Sequence, residues 1–174
     1  MELTSFLIID DHPLFREALG NAVRLAHPDA RIFEAMSIKG ALGILAAEQG
    51  IDLALLDLSL PDATGFSGFL RLRETHPRLP VAIVSSDEDQ QIIREALSLG
   101  AAGYLPKSTS KSELARSIER VLSGSISVPS TFVIRNEQGS ATRNEALRAR
   151  PPDPPPPPPG APALYRRGIP TRPN

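Results

Sequence analysis

The chain has 174 residues, of which 22% are charged and 41% apolar, with a net charge of -1 and no cysteine. This length allows one domain with a substantial core but not two large ones. The lack of cysteine excludes disulfides, thiolate metal sites and thiol catalysis. No apolar run approaches the roughly 18 residues that span a membrane, and Met1–Ser5 lacks the basic start of a secretory signal. These features predict a cytoplasmic protein with no membrane partner.

Four short apolar runs, at residues 6–9, 53–56, 81–84 and 102–105, predict strands, and residues 31–34 predict a weaker one. Apolar residues at helical spacing fill the intervals between the runs and follow the last one. The predicted helices cover Pro13 to Leu25, the segment after Ser37, Phe66 to about His76, Ile92 to Leu99, and Ser110 to Gly124. This alternation predicts an α/β fold, a doubly wound parallel sheet of five strands with helices on both faces.

Polar residues follow the predicted strands at the point where each strand ends: Asp10-Asp11, Asp57, Ser85 and Lys107. The carboxyl ends of parallel strands share one edge of the sheet, so these residues can form one site. Three carboxylates in one crevice repel each other, and a hard divalent cation with oxygen ligands relieves that repulsion. Magnesium also neutralises charge on a transferring phosphoryl group. The pattern therefore predicts a magnesium-dependent phosphoryl site.

Each residue of this site has a simpler interpretation when it is taken alone. An acidic residue after a strand is often a helix cap or a turn residue, Ser85 could be a turn residue, and Lys107 could be ordinary surface. The hypothesis depends on all of them falling at predicted strand ends. His12 adjoins the acidic pair, but no second histidine lies at ligand spacing, so a structural role is expected for it.

Charge and proline content divide the chain near residues 130–135. Residues 1–134 contain twelve Lys and Arg against seventeen Asp and Glu, whereas residues 135–174 contain seven Arg against three acidic residues. Eleven prolines follow residue 150, six of them consecutive in Pro154–Pro159. We therefore predict a folded domain over residues 1–130 and a disordered, Pro- and Arg-rich tail over residues 131–174.

Four segments resemble response-regulator receiver domains, and more narrowly those of LuxR/FixJ-type transcriptional regulators. They are LIIDDHPLFREAL, DLALLDLSLPDATG, VAIVSSDED and ALSLGAAGYLPKSTSKSELARSIERVLSG, and the match runs from about residue 4 to about residue 128. The resemblance implies a flavodoxin-like receiver fold. It also implies a two-component phosphorelay, in which a sensor histidine kinase transfers a phosphoryl group to this chain.

The resemblance assigns roles residue by residue. Asp57 would accept the phosphoryl group, and Mg²⁺ would be held by Asp10, Asp11, Asp57 and the backbone carbonyl of Ser59. Ser85 would be the switch hydroxyl and Lys107 the phosphoryl-binding lysine. Tyr104 would be the switch aromatic that turns inward when Ser85 moves; the simpler interpretation is a half-buried strand residue. Pro106 precedes the lysine, whereas many receivers place a proline after it, so the local backbone course is open.

The same resemblance implies a signalling domain rather than an enzyme, with self-association through the predicted helices Gln90–Leu99 and Ser110–Ser123. Two other functions remain open. A dehalogenase-like phosphohydrolase would need a second Asp two residues after the nucleophile, where this chain has Ser59. An inert interaction module would not need the complete acidic pocket.

The tail carries no amphipathic run that could form a recognition helix, so no specific nucleic-acid binding is expected of this chain. Three interpretations of the tail remain open. It could dock on a proline-recognising partner, its arginines could make a weak nucleic-acid contact, or it could be an unstructured product of a shifted reading frame.

Overall fold

The computed structural model describes residues 3–132, in which five strands alternate with five helices. The strands are β1 Ser5–Ile9, β2 Arg31–Ala35, β3 Leu53–Asp57, β4 Val81–Ser85 and β5 Gly103–Pro106. The helices are α1 Pro13–Ala26, α2 Ile38–Ala47, α3 Ser67–Thr75, α4 Gln90–Ser98 and α5 Lys111–Leu122. All ten predicted elements are confirmed, and the predictions for residues 133–174 lie outside the described residues.

The strands form one sheet in the order β2-β1-β3-β4-β5, and every pair of neighbours is parallel. This confirms the predicted doubly wound sheet. The chain leaves β1 toward β2 on one side and returns to β3 on the other, so the β1–β3 pair is where the winding reverses. A crevice opens at such a point, beyond the carboxyl ends of the two strands.

Alternate residues of the central strands face two separate halves of the core. Phe6 and Ile8 of β1 pack with α1 and α5, whereas Leu7 and Ile9 pack with α2, α3 and α4. Both halves exclude solvent, and every residue of β1, β3 and β4 is buried. Burial on both faces explains why these strands are continuous apolar runs rather than alternating patterns.

Two helices begin with a serine cap. Ser37 Oγ accepts the N–H of Gly40 at 3.0 Å, and Ser110 Oγ accepts the N–H of Glu113 at 3.4 Å. Gly100 and Gly124 follow α4 and α5 with φ of 92° and 86°, in the left-handed region that ends a helix at low cost only for glycine. Within residues 3–132, no helix is both long and apolar enough to cross a membrane.

One segment was not anticipated: the residues Ser125–Phe132, here called the edge segment, contact the domain at single positions. Ser127 forms a parallel bridge with Gly103 of β5. Phe132 lies against the half of the core that contains α4. Thr131 O accepts a hydrogen bond from Gln90 Nε2 at 3.1 Å, so the first two residues of the predicted tail contact the folded domain.

Candidate functional site

Asp10 and Asp57 lie side by side at the carboxyl ends of the two central strands. The register pairs Ile9 of β1 with Leu56 of β3, so the residues that follow them, Asp10 and Asp57, enter the same crevice. Asp10 is fully buried and Asp57 is 2% exposed. Two carboxylates that are buried side by side need hydrogen-bond donors or cations to replace their lost contacts with water.

Lys107 supplies one such cation to both carboxylates. Its Nζ lies 2.9 Å from Asp10 Oδ2 and 3.0 Å from Asp57 Oδ2. The ammonium group of Lys107 also lies over the ring of Phe15, with Nζ 4.4 Å from the ring centroid. The ammonium group can therefore meet a charge that develops on Asp57.

The position of Pro106 does not divert the chain from this site. Pro106 is the last residue of β5 and pairs with Ser85, and the N–H of Lys107 then donates to Ser85 O at 2.8 Å. In β5 the N–H of Tyr104 points away from β4, toward the edge segment, and position 106 shares that orientation by the period of two. A proline is tolerated there because no ladder hydrogen bond is lost.

Asp11 and His12 complete the crevice on the α1 side. His12 Nδ1 lies 3.2 Å from Asp10 Oδ1, 3.0 Å from Asp11 Oδ1 and 3.8 Å from Asp57 Oδ2. The backbone N–H of His12 also donates to Asp10 Oδ1 at 2.7 Å. The sequence predicted only a structural role for His12; its place beside the acidic pair put it near the pocket, but the direction of its ring could not be read from the sequence.

Ser59 contacts the carboxylate of Asp57 through its backbone. Its N–H donates to Asp57 Oδ1 at 3.0 Å, so the loop after β3 orients that carboxylate. Both oxygens of Asp57 are thus engaged, one by Ser59 and the other by Lys107. The role of the Ser59 carbonyl as a metal ligand stays a prediction.

Ser85 and Tyr104 meet at the loop that follows β4. Ser85 Oγ accepts the N–H of Asp87 at 3.1 Å, and the Tyr104 hydroxyl donates to Asp87 O at 2.6 Å. Tyr104 is fully buried, so it is not the half-buried residue of the simpler interpretation. Burial raises the pKa of the Tyr104 phenol, although its contact with Ser85 opposes that shift.

The donor set fits a hard divalent cation. One oxygen each from Asp10, Asp11 and Asp57, together with Nδ1 of His12, lie within 4.8 Å of one another. Among the described residues, Asp11 Oδ1 is a buried oxygen that makes no hydrogen bond, although His12 Nδ1 lies 3.0 Å from it. Carboxylate oxygens that converge in an acidic crevice are the ligands that a hard divalent cation prefers.

Asp62, in the loop after β3, is a structurally important residue that the sequence did not reveal. Its Oδ1 and Oδ2 accept the N–H groups of Ile38 and Lys39, both at 3.0 Å, at the first turn of α2. Slight burial would raise the pKa of Asp62, but these backbone hydrogen bonds outweigh it and the pKa is lowered. The contact spans 24 residues of sequence, so no local pattern could indicate it.

An open apolar crevice of about 460 Å³ adjoins the acidic site. Leu14, on the first turn of α1, is 83% exposed beside it, although the sequence placed it in the apolar series of that helix. The remaining lining residues are His12, Pro13, Phe15, Ser86 and Lys107. The crevice gives a larger molecule a surface next to Asp57.

Comparisons with known proteins agree with this geometry. The profile of the response regulator receiver domain matches residues 6–119. The glycerol metabolism activator of Pseudomonas putida is 36% identical over 143 residues, which are 82% of this chain and 64% of that protein.

Two solved structures also match. The crystal structure of a LuxR family DNA-binding response regulator from Silicibacter pomeroyi is 34% identical with a TM-score of 0.66, and the match covers 75% of this chain and 100% of that one. The receiver domain of the putative response regulator NarL from Mycobacterium tuberculosis is 30% identical with a TM-score of 0.63, covering 71% and 99%.

The chain spans less than two thirds of the length of three curated relatives that it matches, namely 64%, 57% and 55%. What it shares with them is the receiver domain. The sheet order, the acidic crevice and the profile match therefore agree, and this chain belongs to the response-regulator receiver family, a class of phosphorylation-dependent signalling domains related to LuxR- and NarL-type regulators.

Proposed function

We propose that Asp57 accepts a phosphoryl group from the phosphohistidine of a sensor histidine kinase, and that this modification switches the conformation of the domain. The observation that carries the proposal is the contact of one ammonium group with two buried carboxylates, Lys107 Nζ with Asp10 and Asp57. Such an arrangement places an acceptor carboxylate and a fixed positive charge at one point of a crevice.

In the proposed reaction, a carboxylate oxygen of Asp57 attacks phosphorus, and the phosphorus–nitrogen bond of the phosphohistidine breaks. The freed imidazole leaves with a proton from solvent. The attack adds negative charge at Asp57. Lys107 can stabilise this charge because its ammonium group already lies 3.0 Å from that carboxylate. Ser85, 4% exposed at the end of the neighbouring strand, supplies a hydroxyl for a phosphoryl oxygen.

The residues that would hold Mg²⁺ are Asp10, Asp11, Asp57 and the carbonyl of Ser59. When bound, the cation would neutralise charge on the transferring phosphoryl group. The protein's own part is to orient the carboxyl groups of Asp10 and Asp57. The N–H groups of His12 and Ser59 do this by donating to Asp10 Oδ1 and Asp57 Oδ1, at 2.7 and 3.0 Å.

The kinase is the partner that the surroundings of Asp57 support best. A phosphohistidine must approach Asp57 from the open side of the crevice, next to exposed Leu14. An exposed leucine in a mainly apolar crevice is typical of a protein contact. Docking there would place the donor imidazole over the acidic site.

The domain is proposed to act as a switch and not to turn over a substrate. The position two residues after Asp57, where a phosphohydrolase of the dehalogenase type would carry its acid, is Ser59. Ser59 contacts Asp57 through its backbone N–H, which orients the acceptor. No carboxyl side chain at that position is available to protonate a leaving group.

Phosphotransfer with two donors tests the proposal. Acetyl phosphate with Mg²⁺, and separately a phosphorylated histidine kinase, should each add one phosphoryl group to the wild-type chain, measured by intact mass. Asp57→Asn should take up none, because an amide is not a competent nucleophile. The control is Asp52→Asn. This change removes a carboxylate directly before β3, at the opposite end of the strand from Asp57, where Asp52 Oδ2 accepts the N–H of Ser5.

The results separate the candidate functions. If Asp57→Asn takes up as much phosphate as the wild type, Asp57 is not the acceptor. Continuous release of phosphate over many turnovers would favour the phosphohydrolase, and no reaction with either donor would favour the inert module.

Phosphorylation is also proposed to promote self-association through the surfaces of α4 and α5. The two helices flank β5, at the outer edge of the sheet. Light scattering with and without acetyl phosphate measures the effect, and an unchanged mass on full phosphorylation would contradict it.

A further inference from the structure

The imidazole ring of His12 lies among the carboxylates of the crevice, and the backbone of His12 is fixed by several contacts. Its N–H donates to Asp10 Oδ1 at 2.7 Å, and its carbonyl accepts the N–H groups of Phe15 and Arg16 at 3.1 and 3.0 Å. Pro13, the first residue of α1, also restricts the backbone of the residue before it. The ring is therefore carried to the mouth of the crevice by a turn with little freedom.

This ring does not serve as a helix cap. His12 occupies the N-cap position of α1, where a serine, threonine, asparagine or aspartate side chain ordinarily accepts a backbone N–H. The side chain of His12 makes no such hydrogen bond, and it is 61% exposed, so it does not fill the core either. A purely structural role leaves the direction of the ring toward the carboxylates without a reason.

The distances from His12 Nδ1 to the carboxylate oxygens are those found between ligands of one metal ion. Nδ1 lies 3.0 Å from Asp11 Oδ1, 3.2 Å from Asp10 Oδ1 and 3.8 Å from Asp57 Oδ2. Ligand atoms that each lie about 2.1 Å from one cation are about 3.0 Å apart at a right angle and about 4.2 Å apart when opposite. The four candidate atoms lie within 4.8 Å of one another, so small side-chain rotations would bring them onto one ion.

Hydrogen bonding does not account for the contact between His12 and Asp11. The two atoms are 3.0 Å apart, yet Asp11 Oδ1 is buried and makes no hydrogen bond. Buried polar atoms are nearly always paired, so this oxygen lacks a partner that a bound ion would supply. Lys107 also brings only one ammonium group to a crevice with three carboxylates, and a divalent cation would balance the remaining negative charge.

An imidazole nitrogen changes which cation such a site prefers. Mg²⁺ is a hard ion that takes oxygen ligands and loses its water reluctantly, whereas divalent transition ions such as Zn²⁺ bind imidazole readily. Carboxylates can hold an ion of either class. A histidine ligand therefore adds affinity mainly for the second class.

We propose that His12 Nδ1 is a metal ligand, and that it makes the crevice a mixed nitrogen and oxygen site with raised affinity for divalent transition ions relative to Mg²⁺. This rests on the metal site of the proposed function, because the same carboxylates of Asp10, Asp11 and Asp57 hold the cation. His12 is then a residue that determines metal specificity, in addition to orienting Asp10 through its backbone N–H.

Nitrogen NMR of the imidazole rings tests ligation directly. The chain has three histidines, His12, His27 and His76, so the ring signals of the full chain labelled with ¹⁵N can be assigned one by one. ZnCl₂ is added at about pH 8, above the ordinary titration range of histidine. The Nδ1 signal of His12 should move to the position of a metal-bound nitrogen, and the other two rings should keep their signals. A shift at Nε2 of His12 alone, or at neither of its nitrogens, would overturn the assignment.

A matched pair of histidine variants tests the specificity. Calorimetric titrations with ZnCl₂ and with MgCl₂ give two affinities for each variant of the full chain. His12→Gln keeps the backbone N–H but removes the imidazole, and it should lower the ratio of the Zn²⁺ to the Mg²⁺ affinity at least tenfold, since even groups that contact a metal ligand typically contribute that much. His76→Gln, whose ring contacts Thr75, should leave the ratio unchanged. Equal losses for both ions in His12→Gln would show that His12 only positions the carboxylates, and the proposal would be wrong.

Asp11→Ala separates the failure of this inference from the failure of the proposed function. If Asp11→Ala weakens the binding of both ions but His12→Gln leaves their ratio unchanged, the carboxylates hold the cation and only the role of His12 is wrong. If Asp11→Ala binds both ions as the wild type does, the cation lies outside the crevice and the inference fails with the proposed metal site. If Zn²⁺ binds through His12 but acetyl phosphate adds no phosphoryl group, the assignment of the acceptor is wrong and the metal ligand is retained.

Discussion

The acidic crevice and the β5 edge are two regions at the border of the sheet that are built from different groups. In the crevice, charged side chains from β1, β3 and the loop after β5 converge, with Lys107 within 3.0 Å of two buried carboxylates. At the β5 edge, backbone groups converge, with Tyr104 N–H on Ser127 O. Side-chain chemistry builds the first region, and chain geometry builds the second.

The difference teaches where function can be modified without loss of the fold. Buried charges are strongly coupled, so removing one partner leaves the others uncompensated. A short backbone pairing at an edge contributes less, and it can open and close while the core persists. We therefore expect large, chemical effects in the crevice and smaller, conformational effects at the edge.

The largest effect is expected for Lys107→Ala. This change removes the positive charge beside Asp57, so the rate of phosphorylation by acetyl phosphate should fall on the order of a hundredfold. Lys111→Ala, at the exposed first residue of α5, is the control and should leave the rate unchanged. Equal rates for Lys107→Ala and the wild type would mean that the ammonium group only balances charge in the resting state.

Asp11→Ala is expected to weaken Mg²⁺ binding roughly tenfold, because it removes one negative oxygen donor from the site. Titration of Mg²⁺ followed by amide NMR shifts measures the affinity. Asp29→Ala changes an exposed carboxylate before β2 and should have no effect. If both variants bind Mg²⁺ as the wild type does, the cation lies elsewhere.

Two glycine substitutions, one at the β5 edge and one on α2, measure how tightly the edge segment packs. Gly103→Ala places a Cβ 3.0 Å from Ser127 O and from Val121 Cγ2, and it should lower the free energy of unfolding by about 1–2 kcal/mol. Gly43→Ala, at an exposed position of α2 with no atom within 4 Å, should raise it by about 0.5–1 kcal/mol. Urea denaturation measures both, and a neutral Gly103→Ala would show that the edge segment yields without cost.

A small effect is expected for Asp62→Asn, which should lower the free energy of unfolding by about 1 kcal/mol at neutral pH. The pKa of Asp62 is below its usual value of 3.8 in the folded state, so its contribution is present above that pH and is lost as the pH falls through the folded pKa. The difference from the wild type should therefore shrink below pH 4. A constant difference in urea midpoint from pH 7 to pH 3 would contradict this account.

Much of the fold could be predicted because its determinants are local. The central strands are apolar runs buried on both faces, and Ser37 and Ser110 cap the helices that follow them. The boundary of β5 was displaced by one residue, to Gly103–Pro106, because Pro106 sits on an edge where its missing N–H is harmless. Of the apolar series in α1, Leu14 and Leu25 are exposed because periodicity indicates a helix but not how wide its buried face is.

One part of the candidate site could be predicted from the rule that parallel strands bring their carboxyl ends to one edge of the sheet. That rule placed Asp10, Asp57, Ser85 and Lys107 at one edge of the sheet from sequence alone, and their catalytic and switch roles stay predictions. It could not supply the ring of His12 against the carboxylates or the complete burial of Tyr104. Both depend on rotamers that the packed neighbours select.

The sequence by itself determined the order of strands and helices, the buried runs and the set of polar residues at the strand ends, because each depends on neighbours a few positions away. Only the tertiary structure decided which distant groups meet. Asp62 holds the first turn of α2 across 24 positions, and Gln90 holds Thr131 across 41. Such contacts use common polar and backbone groups, which carry no pattern, so their partners are fixed only when the chain has folded.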